Sequence, residues 1–304
     1  MDRTLIYETV HGSTCYGLNR AGSDLDLKGI VVGPPRWYFG FRGGPEQIEL
    51  DGGDHVHFEI RKFLKLIANA NPTILEVLFT DEEHHRTVTP AGRRLLDARE
   101  SFLCAKVGET FGGYALGQLK RIRTHRKWLL SPPTEEPTRA SLGLPEQTLI
   151  PKDQLGAAEA LLDKGEPLDV SDNFLEVLAL EKRYRSLRTQ WQQYLQWKKH
   201  RNPKRSALEA KYGYDTKHAM HLIRLQRMAV EILSTGKVVV RRPDREELLA
   251  IRDGAWSYDE LVEHAEKNGA SIRAAAKETK LARAVDEDTV EKLGVSIVQE
   301  VLAC

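Results

Sequence analysis

Cysteine is scarce in this chain. Its 304 residues hold only Cys15, Cys104 and Cys304, too scattered for a disulfide framework or a zinc spacing. That argues against any disulfide-linked partner and fits a reducing cytosol. No apolar run approaches the about 20 residues that a membrane helix needs, and MDRTLIYETV lacks the apolar core of a secretion signal. The expectation is a soluble, cytoplasmic protein with no membrane partner. An excess of basic charge is missing too. The 45 Lys and Arg stand against 44 Asp and Glu, a formal net charge of +1, so any nucleic-acid surface must be local. A Walker loop, a GxSxG elbow, HExxH and CxxC are all absent, which removes the chemistry those motifs carry.

What is present is concentrated between Gly12 and Gly29, GSTCYGLNRAGSDLDLKG. Gly12-Ser13 follows the strand-like run Leu5–Val10, and Asp24-Leu25-Asp26 opens a second one ending at Val32. Carboxylates at i and i+2 of an extended segment point to one side. Held that close they repel unless a cation neutralises them, and hard oxygen ligands suit Mg²⁺ or Mn²⁺. Gly12-Ser13 offers phosphate a turn free of Cβ bulk and a hydroxyl donor. The combination points to a metal-dependent enzyme acting on nucleotides.

The first hundred residues read as mixed α/β. Strands are expected over Leu5–Val10, Leu27–Val32 and His55–Ile60, and helices over Arg61–Ala70, Thr73–Leu78 and Pro90–Ala98, with Pro34–Gly53 a loop containing short strands. Asn71-Pro72 stops one helix and opens the next. Beyond about Ser101 the pattern is mostly helical: Phe111–Leu130, 152–164, Asn173–His200, Asp215–Thr235, Asp244–Asp253, Tyr258–Asn268 and Glu287–Leu302. The expected division is a catalytic domain over 1–100 and a helical substrate-binding domain over 101–304.

A third acid is needed to complete a metal cage and approach the nucleophile. In Asp54-His-Val-His-Phe-Glu59, period-two alternation puts His55, His57 and Glu59 on one side and Asp54, Val56, Phe58 and Ile60 on the other. With the apolar set taken as the core face, Glu59 is the expected third acid. Asp54 is the alternative, and Glu59 as a first-turn helix acid is the plain structural reading. Residues 118–127 carry five Lys and Arg with His125, so Lys120 and His125 are candidates for a phosphate-neutralising wall, although basic runs are commonly just solvated. Asp215 is the expected cap of a helix on which Lys217, His221 and Arg224 form one polar stripe, opposite Leu222, Leu225 and Ile232. Trp191, Tyr194 and Trp197 read as helix packing, His84-His85 as surface in a turn, and Arg241–Asp244 as the start of a helix.

The GS-x10-DxD arrangement with a later strand acid resembles the DNA polymerase β nucleotidyltransferase superfamily. More narrowly, the chain looks like the RNA-repair-pathway polymerase β family of nucleotidyltransferases. The blocks that carry this are HGSTCYGLNRAGSDLDLKG, FEIRKFLKLIANANPTILEVLF, YALGQLKRIRTHRKWLLSPP and GYDTKHAMHLIRL with RRPDREELLAIRDGAWSYDELVE. The resemblance implies an α+β fold: a polymerase-β-like palm, a mixed sheet with helices, followed by a mostly helical domain. It implies two divalent ions, Mg²⁺ or Mn²⁺, on Asp24, Asp26 and Glu59, and an NTP such as ATP held by Gly12 and Ser13. The implied reaction is template-independent transfer of NMP to an RNA end with release of pyrophosphate. Transfer to a protein or small-molecule hydroxyl, and non-catalytic nucleotide or RNA binding, are the competing readings.

Overall fold

Strand β1 (Thr4–His11) carries Ile6, Tyr7, Thr9 and Val10, residues that fit a pleated surface buried on both sides. The computed structural model describes residues 3–148, 150, 156 and 172–303. After β1 come a single turn, α1 (Gly12–Cys15), and β2 (Asp26–Val32). Short α2 (Arg36–Phe39) and β3 (Gln47–Leu50) fill the Gly- and Pro-rich stretch, and β4 (His55–Glu59) leads into α3 (Ile60–Ala68). Then follow α4 (Pro72–Leu78), β5 (His85–Val88) and α5 (Pro90–Asp97). Asn71 caps α4 by accepting from the Ile74 amide at 3.2 Å, with Pro72 in the first turn, as the Asn-Pro pair implies.

The strands form one mixed sheet in the order β3-β4-β2-β1-β5, in which only β2 and β4 run parallel. Register then fixes two faces, because directly paired residues project to the same side. Tyr7, Thr9 and His11 pair with Ile30, Lys28 and Asp26, and Lys28 and Ile30 pair with Val56 and Phe58. All of these share one face. Glu8 pairs with Gly29 and Gly29 with His57, while Leu27 pairs with His55 and Val31 with Glu59, which makes up the other face.

The helical part contains α6 (Val107–Leu130), α7 (Asp172–Lys199), α8 (Pro203–Tyr212), α9 (Thr216–Thr235), α10 (Arg245–Arg252), α11 (Tyr258–Glu278) and α12 (Glu287–Ala303). The expected helix over 152–164 lies outside the described residues apart from Gly156. Helix α8 was not anticipated, and α11 runs on through Gly269 to Glu278. His85 is not a surface turn residue either. It opens β5, half-buried edge-on to Tyr7, with its Nε2 3.2 Å from the Thr80 carbonyl.

Packing divides the chain into two compact units. The first joins 1–122 to 214–304, so it contains the whole sheet and helices α9 to α12. Its core runs from Ile6, Ile30 and Phe63 to Leu222, Ile223 and Met228, all fully buried. Leu222, Leu225 and Ile232 lie on the packed side of α9 as expected. The second unit is 123–213. Within it Trp128, Trp191, Tyr194 and Trp197 pack ring against ring, so the aromatic residues of α7 serve packing as anticipated. No helix among the described residues is long and apolar enough to cross a membrane.

Candidate active site

The site is built where β1 ends and β2 begins. His11 pairs with Asp26, and the chain turns at Gly12 with φ +66°. That turn needs glycine twice over. The dihedral is one that side chains rarely adopt, and a Cβ there would stand 1.9 Å from the Asp26 Oδ2. Gly12 therefore lies directly against the Asp26 carboxylate, with Ser13 next to it in α1.

The returning loop is held from far along the chain. The Arg242 amide donates to the Tyr16 carbonyl at 3.1 Å, Arg245 Nε donates to the Gly17 carbonyl, and Arg20 pairs with Asp253 at 2.6 Å. Arg242 is itself buried between Glu231 and Asp244, at 2.6 and 3.0 Å. The Arg-Arg-Pro-Asp stretch thus does more than begin a helix. It is an anchor for the loop that carries Asp24.

Asp24 is exposed in that loop and Asp26 is half-buried at the first position of β2. Burial raises the Asp26 carboxyl above its ordinary range, and the charges of Asp54 and Asp24 push the same way, against Lys28 and Lys217. Lys28, two residues along on the same face, is pushed down by burial and held up by Asp26, Asp54 and Glu49. The Leu27 amide donates to the Asp54 carbonyl at 2.8 Å, which sets Asp54 beside the start of β2. Three carboxylates and two lysines therefore share one electrostatic neighbourhood.

Glu59 is not brought there. Its register partner is Val31, so it projects from the face opposite Asp26. It also stands five residues beyond Asp54, about 16 Å at strand rise. The side chain caps α3, accepting from the Arg61 amide at 3.0 Å and from Arg61 Nε at 3.2 Å. The alternation in this strand is as expected, but Asp26 shares the face of Val56 and Phe58 rather than that of Glu59.

The basic candidates separate in the same way. Lys217 is half-buried and acts on Asp26, and His221 follows one turn later on α9, also half-buried. Arg224 leaves the expected stripe. It is buried, donates to Glu76 at 2.5 Å and lies 3.7 Å over the Tyr16 ring, because α9 meets α4 where Glu76 offers the only matching charge in an apolar turn. Tyr16 donates to the other Glu76 oxygen at 2.5 Å. Lys120 is exposed on α6. His125 belongs to the second unit, stacked on Trp128 and 3.6 Å from Glu209, so it packs there.

Two contributors were missed. His11 is buried 3.8 Å from Glu76, and burial with the nearby Arg224 charge lowers its imidazole to about 4, so it is neutral. Glu76 is the other. A lone acid inside PTILEVL was the available signal, since a buried carboxylate demands a partner. A cavity of about 710 Å³ also lies in this unit, lined by residues of α2, α3 and α12, and contains none of the acids just described.

The catalytic acids of the expected family need oxygen ligands for divalent ions. Asp24, Asp26 and Asp54 offer such oxygens, and at Asp26 burial and the charges of Asp54 and Asp24 are offset only in part by Lys28 and Lys217.

Comparison with known proteins bears on the same region. The chain is 32% identical over 90 residues to the uncharacterized protein YcgL of Bacillus subtilis (strain 168), a match covering 29% of this chain and 35% of that protein. The chain thus spans about a third of the relative's length. No solved structure matches. A family profile matches residues 2–130, which hold the whole sheet, the Gly12 turn and all three acids. Across those residues the chain is similar to the RNA repair pathway DNA polymerase beta family.

Proposed function

We propose that the protein is a metal-dependent, template-independent nucleotidyltransferase that moves NMP from an NTP to an RNA end, releasing pyrophosphate. The observation that carries this reading is the Asp26 carboxylate against the Gly12 turn, within the electrostatic reach of Asp24 and Asp54. Residues 1–100 are the catalytic domain, a polymerase-β-like palm, and the helical remainder contributes to substrate binding. The three aspartates hold Mg²⁺ or Mn²⁺. Such ions, when bound, neutralise phosphate charge and lower the pKa of an attacking hydroxyl.

The chain's own residues supply position and charge. Gly12 lets a phosphate approach the backbone, and Ser13 offers a hydroxyl donor. Lys217, with His221 one turn away, faces the acids from α9, where a cation beside a triphosphate offsets its charge. Asp54, on the same side of the sheet as Asp26, takes the role of third acid and approaches the nucleophile. The buried Tyr16–Glu76–Arg224 group beneath the turn keeps that loop in place.

The test uses the purified chain with each α-labelled NTP in turn, Mg²⁺ or Mn²⁺, and a mixture of cellular RNA and protein. Label that is lost with RNase and with Asp26→Asn supports the proposal and identifies the NTP. Label lost with protease instead moves the acceptor to a protein hydroxyl. Absence of label from a folded, metal-supplied protein returns the reading to nucleotide or RNA binding without catalysis.

A further inference from the structure

The face of the sheet opposite the catalytic acids holds a second cluster of ligand atoms. Glu8 of β1, and His55 and His57 of β4, reach across the intervening strand β2. They meet over Gly29, the register partner of both Glu8 and His57. A Cβ at Gly29 would stand 2.6 Å from His57 Cδ2, so the imidazole lies flat across the space a side chain would fill. The three atoms that converge are His55 Nε2, His57 Nε2 and Glu8 Oε1. Their separations are 2.7 Å (His55 to Glu8), 2.9 Å (His57 to Glu8) and 2.8 Å (His55 to His57).

Hydrogen bonds alone do not satisfy that triangle. With Glu8 ionised, its carboxylate oxygen only accepts. If both Nε2 atoms carry protons, the His55–His57 contact sets two donors against each other. If either lacks one, its lone pair faces the Glu8 carboxylate or the other ring. With the carboxylate ionised, each placement of the imidazole protons leaves one contact repulsive. A cation at the centre makes all three attractive at once.

We infer that Glu8, His55 and His57 bind a divalent transition-metal ion of the Zn²⁺ class. Two imidazoles and one carboxylate select borderline ions over Mg²⁺, which prefers oxygen alone. Donors about 2.1 Å from such an ion stand about 3.0–3.4 Å apart, for angles from square to tetrahedral. The observed separations lie just below the short end of that span, and a bound ion would spread them slightly. The Asp51 carboxylate lies 3.8 Å from His55 Nδ1, on the side of the ring's second nitrogen and beyond hydrogen-bond distance. His57 is buried, and its Nδ1 has no hydrogen-bond partner among the described residues. The His55 side chain, with 19% exposure, gives the ion an entrance. The ion ties β1 to β4 across β2 directly behind the catalytic acids and is separate from the ions those acids hold.

The experiment uses the full chain carrying Asp24→Asn and Asp26→Asn, so that the catalytic carboxylates bind little metal. Zn²⁺ affinity is read by competition with a chromophoric chelator, and coordination by the visible spectrum of Co²⁺. The expected result is one tight equivalent of Zn²⁺, not displaced by excess Mg²⁺, a nitrogen-ligated Co²⁺ spectrum, and a higher unfolding midpoint with Zn²⁺. Adding His55→Ala should weaken Zn²⁺ by about 100-fold or more and remove the midpoint shift, whereas Glu59→Gln should leave both intact. Equal affinity with and without His55→Ala overturns the inference. Should His55→Ala fail to fold, the parent's Co²⁺ spectrum decides: nitrogen-ligated bands at one equivalent support the site, and the spectrum of aquo Co²⁺ overturns it.

Discussion

One short strand, β4, presents two chemistries because its sides look at different neighbours. On the Asp26 face its side chains are Val56 and Phe58, with Asp54 just before the strand, and the acids meet Lys28 and Lys217. On the reverse face stand His55, His57 and Glu59, which meet Glu8 and the start of α3. Adjacent positions in the sequence are thus assigned to unrelated tasks. The lesson is that a carboxylate's role follows from the strand it pairs with, and sequence proximity to other acids is a poor guide.

The sharpest way to break that comparison is to neutralise acids on either side. Asp26→Asn and Asp54→Asn are each expected to lower nucleotidyl transfer by more than about 10³-fold, measured at saturating NTP, while Glu59→Gln stays within about threefold. A large loss in Glu59→Gln with retained activity in Asp54→Asn would reverse the assignment. The next effect is on stability. Arg224→Met leaves the Glu76 carboxylate buried without its cation and should cost about 3–5 kcal/mol in denaturant unfolding. The double variant Arg224→Met/Glu76→Leu should recover much of that loss.

His11 gives a pH test of the same face. Its imidazole is held near 4 against an ordinary 6.5, so between those values the unfolded chain binds the extra proton. Its contribution is therefore complete above pH 6.5 and is lost as pH falls toward 4, by about 3 kcal/mol in all. Denaturation midpoints followed across that window should flatten in His11→Gln. The smallest effect is the cap. Glu59→Gln should lose about 1 kcal/mol or less, with the helix start at α3 the first region to show faster amide exchange.

Much of the fold was legible where local chemistry decides. Asn71-Pro72 and Asp215 mark helix starts because their side chains cap the next amides, and the structure uses both. Asn202-Pro203 speaks the same grammar, with Asn202 accepting from the Arg205 amide at 3.3 Å, and α8 could have been read from it. Gly269 reads as an end, yet one glycine costs a helix only about 1 kcal/mol, which the packing of α11 against α9 outweighs. Gln226 Nε2 donates to the Ala265 carbonyl at 2.8 Å in that contact.

The candidate site was legible in half. The Gly12 turn and the Asp24-Leu-Asp26 pair follow from spacing, since both lie on one connected stretch. The third acid did not, because alternation gives the parity of a strand and says nothing of which neighbour it joins. Only the parallel pairing of β4 with β2 places Asp54 with Asp26 and turns Glu59 away. Arg224 was misplaced for a related reason. A polar stripe on a helix marks residues that need partners, and Glu76, 148 residues earlier, supplies one inside the protein rather than a ligand outside it.

The anchoring of the Tyr16–Arg20 loop by Arg242, Arg245 and Asp253 bears on how this protein can be cut or rearranged. The profile-matched stretch, 2–130, looks like a portable module, but its loop is fastened by residues more than 220 positions away. Expressed alone, that stretch would keep every proposed acid and lose the clamp that holds Asp24 in register with Asp26. Modularity in sequence is here not modularity in mechanics. A fragment that retains 214–304, even supplied as a separate chain, is the smaller object on which the proposed chemistry can still be expected.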